Sequence, residues 1–206
     1  MKKKILYSAA LLTAFFAILA ALTAVSERDA AELRSAVLRL HIVANSDSEA
    51  DQQAKLRVRD GVADLCADLF YSETDKESVL ASARENAPLI EARATEILRE
   101  NGASYPARVV IRRRFFPTRD YEGVSLPAGV YDAVDIELGS ASGKNFWCVM
   151  FPAICVGASS SRDNREKMSD AVSSGALDLA CSWDGVRLRF ASVELFEKLK
   201  HFFGVE

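Results

Sequence analysis

The sequence predicts an α+β body behind an apolar N-terminal segment, and three observations carry that reading. An uncharged run from Ile5 to Val25 follows Lys2, Lys3 and Lys4; helical periodicity fills most of the stretch from Ser48 to Asn101; and the period changes to two after Gly102. With 206 residues, 50% hydrophobic and 27% charged, and only 5 Pro and 10 Gly, the chain has the composition of a globular body rather than a disordered one. The expected organisation is a signal peptide or membrane anchor over residues 1–26. Residues 27–206 then form a single extracytoplasmic domain, with a small, mainly antiparallel sheet packed against helices.

The N-terminal run is 21 residues long, enough to span about 31 Å as a helix. Lysines before it stay cytoplasmic, so the body is expected on the far side of the membrane, with residues 5–25 as its membrane contact. Ala24-Val25-Ser26 offers small residues for cleavage, whereas the run exceeds the ~7–15 residues usual in a signal peptide, and both fates stay open. Beyond residue 26 the chain carries 23 basic and 29 acidic side chains, a net charge of −6.

Leu38 to Ala44 alternates, with Leu38, Leu40, Ile42 and Ala44 on one face, and reads as a half-buried strand. Asn45-Ser46-Asp47-Ser48 breaks it, and Ser46 with Glu49 forms a capping box for a helix to about Phe70. A second helix covers Asp75 to Asn86. A third has Pro88 in its first turn and ends at about Asn101, before Gly102. Ala107–Phe116, Val130–Leu138 and Phe146–Phe151 are rich in β-branched and aromatic residues and read as strands. Gly157 to Gly175 is expected to be a polar loop with one surface helix near Arg165 to Ser173. A strand at Val186 to Phe190 and an amphipathic helix from Ser192 complete the chain.

Charge and motif content exclude several chemistries. An acidic body offers no concentrated footprint for nucleic acid, and strand alternation splits Arg112-Arg113-Arg114 between two faces. With only His41 and His201, and no C-x-x-C, the sequence offers no zinc site, and no cofactor or small-molecule substrate is expected. Gly139 to Lys144 lacks the spacing of a phosphate loop and reads as a hairpin loop. Asp132 and Asp135 face opposite sides of a strand, so they cannot act as a carboxylate pair. Of the four cysteines, Cys148 and Cys155 are separated by six residues including Pro152, which lets them approach as a disulfide. Reduced, buried cysteines are the alternative, and the reading preferred for Cys66.

One polar constellation stands apart. Val58, Val62, Leu65 and Leu69 define the apolar face of the first predicted helix, and Asp51 and Lys55 project from that same face nearer its N-terminus. Their spacing allows an ion pair that would stabilise the strand-to-helix crossing. Around them His41, Asn45, Asp47, Gln52 and Arg59 offer a surface for a partner, with Trp147 as a further candidate.

These residues also carry a resemblance. Arg39-Leu40-His41-Ile42-Val43-Ala44-Asn45-Ser46-Asp47, followed by Asp51-Gln52, Lys55 and Val58-Arg59-Asp60, resembles the opening block of the stage II sporulation protein R family. Leu126-Pro127-Ala128-Gly129 and the run from Gly143 to Cys155 resemble its second block, with Phe146 where the family often has Trp and Ala153 in place of a second Pro. The resemblance covers about Leu38 to Cys155. It implies a signal made in the forespore and exported into the intermembrane space. There it would activate a membrane-embedded aspartic protease of the mother cell, which processes a sigma-factor precursor. On that reading the chain is not an enzyme. The alternatives are a peptidoglycan-directed hydrolase using His41, Asp47 and Asp51 as acid/base groups, and a structural envelope protein.

Overall fold

The computed structural model describes residues 2–154 and 161–181, without the side chains of residues 2–11, 15, 16, 18–20, 22 and 23. Its elements are α1 (Lys2–Ala36), β1 (Leu38–Val43), α2 (Glu49–Leu69), α3 (Lys76–Glu85), α4 (Ala87–Glu100), β2 (Ala107–Phe116), β3 (Arg119–Tyr121), β4 (Val124–Leu126), β5 (Gly129–Leu138), β6 (Asn145–Phe151), α5 (Ser161–Ala171) and α6 (Ser174–Cys181). Four strands form one sheet in the order β2-β5-β1-β6, and β3 and β4 form a separate two-stranded ribbon.

The α+β class holds, with one correction to the sheet. It is mixed: β1 runs parallel to β5 at its centre, while β2–β5 and β1–β6 are antiparallel. A parallel neighbour requires a long crossover, which here includes all three helices α2, α3 and α4. The segment Gly139–Lys144 is not a hairpin loop, because β1 lies between the two strands it joins and the loop must arch over the end of β1.

Helices or the ribbon pack on both faces of the sheet. Leu38, Leu40 and Ile42 of β1, with Val134, Ile136 and Leu138 of β5, meet Val58 and Val62 of α2 and Ile90, Ala94 and Leu98 of α4. Part of the opposite face, around Phe116, Tyr131, Ala133 and Val149, is covered by Ala30, Leu33, Val124, Leu126, Ala176 and Leu179 from α1, the ribbon and α6. For that reason β1 is buried along its whole length instead of half-buried as its alternation predicts. Arg39 and His41 have no exposed surface.

Element boundaries follow local chemistry. Ser48, not Ser46, caps α2, its hydroxyl accepting from the Asp51 amide, and Asp75 caps α3 in the same way through Ser78. Pro88 lies in the first turn of α4 as expected. The region predicted as a loop with one surface helix contains α5 and the start of α6, and Met168, Ala176 and Leu179 of these helices are buried. The strand predicted at 186–190 and the helix predicted from Ser192 lie outside the described residues.

α1 passes through residues 26 and 27 without a break, and its last turns pack against the sheet. Among the described residues no helix is long and apolar enough to cross a membrane. Cys148 is disulfide-bonded, whereas Cys66 and Cys181 are free. Cys155, the expected partner of Cys148, lies outside the described residues. Burial pushes the Cys66 thiol up to about 12, in keeping with an inert core residue.

Candidate functional site

The residues singled out by sequence separate into two groups on different parts of the fold. Asn45, Asp47, Asp51, Gln52 and Lys55 form a clamp where the β1–α2 turn meets the loop arching from β5 to β6. His41 and Trp147 belong to a polar row on the sheet face opposite α2. Arg59 belongs to neither, being bonded to Asp60 with its guanidinium 5.2 Å above the Phe146 ring.

In the clamp, Asp51 accepts from Asn45 Nδ2 at 2.9 Å, Ser46 Oγ at 2.5 Å and Tyr105 Oη at 2.5 Å. Ser46 first, then Tyr105 and Asn45, hold its carboxyl down at about 2. The predicted Asp51–Lys55 ion pair does not form. Lys55 Nζ instead donates to Gln52 Oε1 at 2.7 Å and to the Lys144 carbonyl at 3.0 Å, and burial lowers its affinity for a proton. The arching loop supplies further ties, among them the Ser140 amide donating to Asn45 Oδ1, Ser142 Oγ donating to the Asn45 carbonyl, and the Lys144 amide donating to Asp47 Oδ1. Gly143 is required here, since a Cβ at that position would lie 2.2 Å from the Ser46 carbonyl oxygen.

The polar row crosses all four strands of the main sheet. His41 Nδ1 lies 3.0 Å from Asp135 Oδ1 and its Nε2 lies 2.8 Å from Asn145 Oδ1. The second Asp135 oxygen accepts from Arg112 Nε and, at 2.9 Å, from Arg114 Nη1, which is also 2.9 Å from His41 Nδ1. An imidazolium satisfies Asp135 and Asn145 together; the neutral Nε2–H tautomer donates to Asn145 and accepts from Arg114. Burial alone would raise Asp135, but its bonds to His41 and Arg112 and the charge of Arg114 outweigh it, and the carboxyl is lowered. Trp147 stacks on His41 and meets the edge of Phe116.

Beside this row Arg39 is buried in an aromatic box, its guanidinium carbon 4.4 Å from the Phe116 centroid, 5.0 Å from Tyr131 and 5.4 Å from Tyr121. Its Nε donates to the Cys148 carbonyl and its Nη2 to Tyr121 Oη. A cleft of about 600 Å³ lies at the β6 edge, lined by Leu40, Cys66, Phe70, Met150 and Phe151, with Arg59 also on its wall. Among the described residues no cluster of three or more His, Cys, Asp or Glu is placed to hold a metal.

Sequence reasoning missed Asp135, Arg112, Arg114 and Asn145. The available signal was the alternation of polar residues at 39/41, 112/114 and 135/137, which strand pairing turns into one row. Alternation does place Arg113 and Asp132 on the other face, as expected, and Asp132 there bonds Lys76.

Residues 34–161 match the sequence profile of Stage II sporulation protein R. The Stage II sporulation protein R of Bacillus subtilis (strain 168) is 37% identical over 130 residues, which is 63% of this chain and 58% of that protein. No solved structure matches. The profile match covers more than half of the chain and includes β1, both loops of the clamp and the whole polar row, so this chain belongs to the Stage II sporulation protein R family.

Proposed function

We propose that the chain is a sporulation signalling protein exported from the forespore, free or anchored through residues 5–25, which activates a mother-cell membrane aspartic protease that processes a sigma-factor precursor. Family membership is the observation that carries this reading. The geometry supports a binding role over a hydrolytic one. The groups that a peptidoglycan hydrolase would need are separated and engaged: His41 by Asp135 and Asn145, Asp47 by the Lys144 amide, and Asp51 by three donors of the clamp.

Co-expression with the protease and its precursor substrate in a non-sporulating host tests the proposal. Precursor processing that depends on this chain is the expected result, together with no turnover when the purified protein is incubated with wall material. Wall turnover without protease activation would replace the proposal with the hydrolase.

A further inference from the structure

We infer that the half-open end of the polar sheet face is a docking surface for an acidic segment of another protein, gripped by Arg108, Arg112, Arg114 and Arg119 around Trp147. This rests on the reading that the chain acts by binding a protein, and it adds which face is used and what chemistry meets it.

The patch is contiguous. The Arg119 guanidinium lies 5.8 Å above the Trp147 ring, Trp147 stacks on His41, and His41 touches Arg114. Arg114 and Arg112 share Asp135, Arg112 also reaches Glu137 at 2.9 Å, and Arg108 stands opposite Glu137 in the β2–β5 register. Arg108, Arg112, Arg119 and Asn145 are exposed and Trp147 is half-buried. Among the described residues, α1, α6 and the ribbon cover only the end of this face around Phe116 and Tyr131.

Charge sets the identity of the occupant. Four guanidinium groups face two carboxylates, and one of those, Asp135, is wholly buried beneath them. The patch is thus positive on a body whose net charge beyond residue 26 is −6, which steers negatively charged partners to this face. Arginine pairs bidentately with carboxylates, and Trp with Arg is the composition of energetic centres in protein interfaces. Asp135 also holds Arg112 and Arg114 in place, so less freedom is lost when they bind. Glu137, 26% exposed between Arg108 and Arg112, disfavours a continuous phosphate chain. A protein segment can space its carboxylates around Glu137 and lay an apolar side chain on Trp147.

The test uses the full chain and a short Glu/Leu peptide as probe. The peptide should shift the Trp147 indole N–H resonance and bind more weakly as salt is raised, and its Gln/Leu counterpart should not bind. Arg108 and Arg119 make no ion pair among the described residues, so R108S/R119S should leave the melting temperature unchanged while weakening the peptide roughly tenfold. Equal binding by that variant, equal binding of the Gln peptide, or binding of polyphosphate or anionic vesicles in place of the Glu peptide would each overturn the inference. In the co-expression assay, full processing by R108S/R119S would also overturn it. Failure of the unaltered chain to trigger processing would instead sink the signalling proposal, and the peptide result alone would then decide this one.

Discussion

His41 lies flat against Trp147, with ring centroids 4.1 Å apart and planes 19° from parallel. Both ring nitrogens are occupied as well, by Asp135 and Asn145. The only histidine among the described residues is therefore fixed on one face and at both polar corners, in a site with no exposed surface. A group so enclosed holds strands β5, β1 and β6 in register.

Replacing His41 with Ala should lower stability by about 2–4 kcal/mol, from the cavity and the two lost hydrogen bonds. Trp147→Phe should cost less, because the aromatic contact survives in part. Urea unfolding of both variants measures the difference, and a His41→Ala protein as stable as its parent would show that the row is not structural.

Asp51 gives stability a defined acid limit. Its carboxyl sits at about 2 in the fold against 3.8 ordinarily. Its contribution is therefore fully present above about pH 4 and is lost as pH falls through about 2. The unaltered protein should lose about 1 kcal/mol more than Asp51→Asn across that window, after allowance for solvent screening. Melting curves at stepped pH check the sign and the range.

Gln52 and Arg59, grouped together by sequence, should behave differently. Gln52 Nε2 donates to the Ser46 carbonyl at 2.8 Å and its Oε1 accepts from buried Lys55. Gln52→Ala is thus expected to cost about 1–3 kcal/mol, and Lys55→Ala at least as much. Arg59 pairs only with exposed Asp60 among the described residues, and Arg59→Ala should stay within about 0.5 kcal/mol of the parent. Thermal melts of the three variants separate the classes.

The cysteines make a chemical prediction. Alkylation of the denatured, unreduced protein should label Cys66 and Cys181 and leave Cys148 joined to Cys155 after proteolysis. Labelling of all four sulfurs without prior reduction would exclude that bond.

The helices and most of the main sheet are legible in the sequence because their signals are local: Asp75 and Pro88 mark starts, Gly102 marks an end, and β-branched and aromatic residues mark β2 and β5. The sheet order is not, since nothing in the segments 38–43 and 129–138 says that they pair in parallel across three helices. That gap hides the site. Along its own strand Asp135 is only one half of a failed carboxylate pair, yet its partners are His41, Arg112 and Arg114 on neighbouring strands. The ribbon of β3 and β4, three residues in each strand, is too short to show a period. The Asp51–Lys55 pair fails for the opposite reason. Spacing along one helix permits it, but each group finds better partners on the turn and loop opposite.

The bonds of His41 also dictate an order of events during synthesis. Its partners lie 94 and 104 residues further along the chain, so β1 has no neighbours on either side until almost the whole of the sheet-forming sequence is present. Pairings this distant in sequence close late and slowly. If the chain is exported as proposed, with Lys2 to Lys4 held on the near side, β1 would cross extended and unpaired ahead of its partners, and the centre of its sheet would form only when residues up to 151 had emerged on the far side. On the proposed export route, the arginine-rich face would therefore form only after those residues had crossed.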